Sequence, residues 1–261
     1  MTVRRENDIL MDIAKTLANV SNEDGMYLNY MKICLSAIEL LKRVFGEQYQ
    51  FPVDVIAVYE KLGIRVRKEN LNEFMDGGDQ KKVNRIIGKI SIRPDYITQE
   101  SKTTVYVDES SSPAMINYAL AHELCHLILN YGNKRYTDDY CMMPMLPKVS
   151  DEMVADAFAI FLLIPFDKFL DTFSNYIKVS KDMGEVPIGT KSWLNHLSAM
   201  ASVPYYYVAC AYQQIRHVSF LIYKMHTEND NDKMRYGEES VVLYDLVESK
   251  LTDENINLLY Q

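Results

Sequence analysis

The apolar positions at the start of the chain predict three helices. Apolar residues recur at three- and four-residue intervals over 9–17 and again over 31–45, with a polar break at 21–25. This interval places them on one face of a helix. The next apolar stretch runs from Pro52 to Gly63. Because proline suits a first helical turn and glycine suits the end of a helix, this stretch predicts a third helix.

Beyond this helix the period of the apolar positions changes from helical to strand-like. Apolar and polar residues alternate over 64–67 and less regularly over 86–92, and residues 103–108 are rich in β-forming types. These segments predict a small sheet of about three strands. We expect 87–92 to be an edge strand to which an extended peptide could add by backbone pairing. The polar connection around 76–79 predicts a loop.

The next segment predicts a long buried helix that carries polar side chains. Ser112 followed by Pro113 is typical of a helix start, and we expect the helix to end before Gly132. Its flanks are apolar nearly all round, which is typical of a buried helix. The helix contains the pattern His122-Glu-Leu-Cys-His126. With this composition, random order would give only about 0.006 such matches, so the pattern indicates a function.

The spacing of this motif favours a metal site. Residues four apart lie on one helical face and about 6 Å apart along the axis, so His122 and His126 can reach one ion. Glu123 projects from the adjacent side, where it can hold a water bound to the metal. Left unpaired in so apolar a helix, each group would cost a few kcal/mol, whereas a divalent cation satisfies all of them.

The third ligand is expected in the following apolar helix, between Ser150 and Pro165. A catalytic zinc site needs three protein ligands and an open position, and Glu152 is the best candidate for the third. Asp156 lies four residues later, so both carboxylates share one face of the helix. One carboxylate can bind the metal while Asp156 orients a ligand histidine through its second ring nitrogen.

Both motifs together resemble those of the ImmA/IrrE family of metallopeptidases. The family pairs an A-H-E-L-x-H helix with E-x-x-A-(N/D)-x-F-A-x-x-L-L-x-P, and the chain has matching residues at 121–126 and 152–165. The resemblance covers roughly residues 51–165. The chain is also similar to gluzincins, in which H-E-x-x-H precedes E-x-x-x-D, matched here by Glu152 and Asp156.

The resemblance implies zinc bound by His122, His126 and Glu152, with Glu123 as the catalytic acid and base. It also implies a protein substrate of the helix-turn-helix repressor type, cleaved under regulation. The chain departs from the family at 117–120, where Asn-Tyr-Ala-Leu replaces the Arg and Phe-Thr that are common there, and at Cys125, where glycine is common.

Composition and charge narrow the class of protein. With 48% hydrophobic and 25% charged residues, the chain has the composition of a globular protein. Its formal net charge of -8 has the wrong sign for a direct grip on nucleic acid. No apolar run approaches the roughly 20 residues of a membrane span, and no secretory signal is present, so we expect a cytoplasmic protein. The four cysteines form no C-x-x-C pair, which fits a reducing compartment.

These patterns predict an α+β fold with a minimal zincin-like core at 51–165, built from the small sheet, the H-E-x-x-H helix and the glutamate-bearing helix. We expect an N-terminal helical extension at 1–50, a C-terminal helical region at 166–226 and an acidic tail at 227–261. In the C-terminal region, the tyrosines at 205–207 are expected to pack among helices rather than to bind substrate.

The function expected from the sequence is that of a zinc-dependent metallo-endopeptidase acting on a protein or peptide. Two alternatives remain open. One is a non-catalytic regulatory or binding module that retains a structural zinc. The other is an iron oxygenase with two histidines and one carboxylate, in which Glu123 has no evident role.

Overall fold

The structure is a computed structural model, and it describes residues 2–17, 20, 29–71, 86–94, 101–133, 140–142, 151–182, 190–227 and 239–250. The predicted break at 21–25, the predicted loop at 76–79 and the Ser150 cap lie outside these ranges.

The described residues form helices and one small sheet, which confirms the α+β class. The helices are α1 (Thr2–Leu17), α2 (Tyr30–Phe45), α3 (Val55–Lys61), α4 (Pro113–Asn133), α5 (Asp151–Leu163), α6 (Phe166–Asp182), α7 (Thr190–Ala201), α8 (Tyr205–Thr227) and α9 (Glu239–Lys250). The strands are β1 (Arg65–Glu69), β2 (Ile86–Pro94), β3 (Ser101–Asp108) and β4 (Tyr140–Met142).

The sheet has the strand order β1-β3-β2-β4. Strand β1 runs parallel to β3, and β2 runs antiparallel to both β3 and β4. The three predicted strands are present. Strand β4 was not predicted, because three residues are too few for an alternating pattern to be recognised. The expectation that 87–92 forms an edge is wrong at Gly88 and Lys89, which pair with β3 on one side and β4 on the other.

Two helix ends differ from those predicted. Helix α3 begins at Val55 rather than at Pro52, because the Asp54 side chain accepts a hydrogen bond from the backbone N–H of Ala57 at 3.1 Å and so caps the helix there. Helix α4 continues through Gly132 to Asn133. A single glycine weakens a helix by only about 1 kcal/mol, which is insufficient to end a helix this long.

Buried apolar residues from the N-terminal, central and C-terminal helices belong to one hydrophobic cluster. Helix α4 packs on α5, α1 packs on α4, and α2 packs on α5. Helix α4 is also tied to α3, because the buried Tyr59 hydroxyl donates to the carbonyl of Leu120 at 2.8 Å. The helices outside 51–165 therefore share the core that holds α4 and α5, and the division into four regions stays a prediction.

The C-terminal helices form an aromatic part of this core around Trp193, which is 1% exposed. The rings of Phe169 and Phe173 meet the Trp193 ring edge to face, with centroids 5.0 and 5.1 Å apart. Helix α9, in the predicted acidic tail, buries Val247 and places Lys250 Nζ 2.7 Å from Asp171 of α6. No helix among the described residues is long and apolar enough to cross a membrane.

Candidate metal centre

Helix α4 carries its polar residues into the core. The Ser112 hydroxyl accepts a hydrogen bond from the backbone N–H of Met115 at 3.3 Å, which confirms the predicted cap. In the helix that follows, His122, Glu123 and His126 are 2, 0 and 6% exposed. Since buried polar groups need partners, the contacts of these three side chains decide what the helix can do.

Three of the predicted site residues meet at one point between α4 and α5. The Nε2 atoms of His122 and His126 lie 3.0 Å apart. Glu152, in the first turn of α5, places Oε2 3.2 Å from His122 Nε2 and Oε1 3.3 Å from His126 Nε2. One ligand atom from each residue lies within 4.8 Å of the others.

This donor set fits a small divalent cation. Atoms that coordinate zinc tetrahedrally at about 2 Å lie about 3.3 Å from one another, close to the distances between these ring nitrogens and carboxylate oxygens. Two imidazoles and a carboxylate are also the ligand types that zinc takes in catalytic sites. The Glu152 side chain is 54% exposed, so the group is open to solvent on that side.

The two histidines also set the charge state of Glu152. Hydrogen bonding with His122, and then with His126, holds the pKa of the Glu152 carboxyl well below its usual range, although partial burial opposes the shift. The carboxylate is therefore ionised at neutral pH, as a metal ligand must be.

Asp156 lies on the opposite side of the His122 ring. Its Oδ1 is 2.9 Å from His122 Nδ1, whereas Nε2 of the same ring faces Glu152. The hydroxyl of Tyr118 donates to the same Asp156 oxygen at 2.6 Å. The structure thus brings Asp156 to the second ring nitrogen, where the sequence places it, and adds a tyrosine that the sequence analysis did not select.

Glu123 projects toward β2 and packs against Gly88. A Cβ atom built on Gly88 would lie 3.0 Å from both Cγ and Oε1 of Glu123, closer than ordinary van der Waals contact. Strand β2 also changes register between Ile86 and Gly88, at its pairing with β4. Gly88 was not predicted to contact the site, although a glycine inside a strand signals a bulge or a close approach.

Cys125 is a buried core residue behind the candidate ligands. It is 0% exposed, and burial raises the pKa of its thiol above the usual range. The thiol stays protonated at neutral pH and is therefore a poor nucleophile.

The tyrosines at 205–207 have different environments. Tyr207 is 9% exposed, and its ring stacks on Tyr118 with centroids 3.5 Å apart and planes 15° apart. Tyr206 is 68% exposed. The packing expected for this cluster therefore holds for Tyr207, whereas Tyr206 faces solvent.

Comparison with protein families identifies the region that holds these residues. Residues 59–186 match the Peptidase_M78 family, described as the IrrE N-terminal-like domain. Residues 59–186 therefore belong to this peptidase family. Membership of the IrrE-like family confirms the resemblance drawn from the two motifs and supports metallopeptidase activity in general. The match includes β1–β4, α4 and α5, and excludes α7, α8 and α9. Comparison with curated proteins and with solved structures gives no match.

Proposed function

We propose that the protein is a zinc-dependent endopeptidase that acts on a regulatory protein in the cytoplasm. In this proposal His122, His126 and Glu152 bind the zinc ion, Glu123 is the catalytic acid and base, and Asp156 orients His122. The observation that carries the proposal is the convergence of His122 Nε2, His126 Nε2 and the Glu152 carboxylate within 4.8 Å.

The protein's own groups have separate tasks in the hydrolysis. When bound, zinc would lower the pKa of the attacking water toward about 7 and polarise the scissile carbonyl. Glu123 takes a proton from the water and delivers it to the leaving amine. Its packing against Gly88 restricts the carboxylate to one side of α4. Asp156 Oδ1 lies 2.9 Å from Nδ1 of His122, where it would favour the tautomer that leaves the Nε2 lone pair free to bind the metal.

The exposure of Glu152 favours this function over the structural-zinc alternative. Structural zinc sites are closed by four protein ligands, whereas catalytic sites keep one position open to water. With 54% of its side chain exposed, Glu152 leaves a solvent-facing side through which a peptide can approach. An iron oxygenase would use the same ligands, but it would give the buried Glu123 no role. Metal analysis of protein purified without added metal distinguishes a zinc enzyme from an iron enzyme.

The substrate proposal rests on the resemblance to the ImmA/IrrE family, which implies a helix-turn-helix repressor. We would incubate wild type and Glu123→Gln with candidate repressors encoded nearby and identify fragments by mass spectrometry. We expect fragments with wild type only, and about one zinc per chain in both proteins. Cleavage by Glu123→Gln at the wild-type rate would refute the role of Glu123.

A further inference from the structure

We propose that Tyr118 and Tyr207 are positioning residues for His122, so that helix α8 supports the metal centre from outside the family match. The inference rests on the proposed function, because it concerns His122 as a metal ligand. Tyr118, His122 and His126 are spaced four apart on α4, so their side chains share one face.

The Tyr118 hydroxyl holds the carboxylate that faces His122. Tyr118 is 4% exposed, and its hydroxyl donates to Asp156 Oδ1 at 2.6 Å. The same oxygen lies 2.9 Å from His122 Nδ1. The Tyr118 hydroxyl thus holds this oxygen beside His122 Nδ1. A fixed acceptor at Nδ1 selects the tautomer of His122 that keeps its proton there and leaves Nε2 free to bind metal.

Tyr207 fixes the ring of Tyr118. The two rings are stacked, with centroids 3.5 Å apart and an interplanar angle of 15°. Tyr207 lies in the first turn of α8, and this helix also packs against α5, which carries Asp156. Helix α8 therefore contacts both helices of the centre.

The test measures zinc affinity by competition with a chromophoric chelator and, separately, the melting temperature of the metal-free protein. We expect Tyr118→Phe to weaken zinc binding about tenfold, within the usual range for residues that orient a ligand histidine. Its effect on the metal-free melting temperature should be small, because the Asp156 side chain is 35% exposed and water can replace the hydroxyl. We expect Tyr207→Leu to weaken binding about threefold to tenfold by the same route.

The matched control is Tyr205→Leu, in the same turn of α8 and 38% exposed. It should leave zinc affinity unchanged. A loss of melting temperature in Tyr207→Leu with wild-type affinity would show a purely structural role and overturn the proposal.

A double-mutant cycle tests the route through Asp156. In an Asp156→Ala background, Tyr118→Phe should have no further effect on zinc affinity, and cobalt-loaded samples should show the same visible spectrum with or without Tyr118→Phe. An equal weakening in both backgrounds would refute the route. If wild type and His122→Ala bind zinc equally well, the metal centre itself fails. If only His122→Ala loses zinc while both tyrosine variants bind like wild type, the positioning role alone fails.

Discussion

Two parts of the core are equally buried but differ in chemistry. Around Trp193, aromatic side chains from α6 and α7 pack edge to face. In α4, side chains of similar burial are two histidines and a glutamate. Burial of the aromatic groups stabilises the fold, whereas burial of the polar groups costs free energy unless they find partners. This difference supports the proposed role of α4 in metal binding, whereas the aromatic cluster contributes to stability.

Glu123→Gln should have the largest effect, and it should fall on activity alone. Removing the proposed catalytic acid and base is expected to lower kcat by about a hundredfold to ten-thousandfold. Stability should stay the same or rise, because a neutral amide is less costly to bury than a carboxylate. Peptide cleavage and urea unfolding measure the two effects. A large loss of stability would place Glu123 among the structural residues instead.

Trp193→Ala should lower the stability of the fold and leave zinc binding intact. We expect it to lower the free energy of unfolding by about 3–5 kcal/mol, through lost contacts and the cavity that remains. Urea unfolding measures this loss. Where the variant is folded, it should still bind zinc, and the milder Trp193→Phe should be less destabilised. Loss of zinc binding in folded Trp193→Phe would contradict the separation of the two parts.

Zinc should stabilise the protein through the polar part only. At a free zinc concentration of 100 times Kd, we expect the free energy of unfolding to rise by about 2.7 kcal/mol. A chelator should remove this increase. His126→Ala should lose this gain. Phe173→Leu, in the aromatic part, should keep it although its stability is lower. Thermal unfolding with and without chelator compares the two, and an equal zinc effect in both variants would count against the centre.

Gly88→Ala should destabilise the protein by about 1 kcal/mol, because the new methyl group crowds the buried Glu123. In a Glu123→Ala background the same substitution should instead stabilise the protein. Without the crowding, replacing a strand glycine by alanine ordinarily raises the free energy of unfolding by about 0.5–1 kcal/mol. Urea unfolding of the four proteins gives the comparison. The same sign in both backgrounds would show that the contact with Glu123 is not the cause.

Lys250→Ala should change the free energy of unfolding least among these variants. Its ion pair with Asp171 is on the surface, with both side chains more than a third exposed, and such pairs contribute about 0.2–1 kcal/mol. We expect the loss to shrink further at high salt, which urea unfolding at two salt concentrations would measure. A larger loss that salt does not change would instead assign α9 a packing role through Val247.

The parts that the sequence predicted well are those that depend on neighbours along the chain. The four-residue spacings of His122 with His126 and of Glu152 with Asp156 place each pair on one helical face, and the structure brings both pairs together. The limits of α5 likewise follow from local signals, since Pro165 comes directly after its apolar run.

The parts that the sequence did not predict depend on distant contacts or on very short segments. The stacking of Tyr207 on Tyr118 joins residues far apart in the chain, so no local pattern encodes it. Strand β4 is three residues long, and it pairs with the first part of β2, which was predicted to be an edge. The start of α3 was misplaced because the Asp54 cap outweighed the preference of Pro52 for a first turn.

The position of Glu152 has a consequence for local motion. His122 and His126 lie in the interior of a long helix, whereas Glu152 is the second residue of α5. The first backbone N–H groups of a helix have no partner within it, so this turn opens more readily than the middle. A zinc ion bound by both helices would stabilise the first turn of α5 through Glu152. The backbone N–H groups of 155–158 bond to the carbonyls of this first turn, so their hydrogen exchange should slow when zinc binds, while exchange in the middle of α4 changes little.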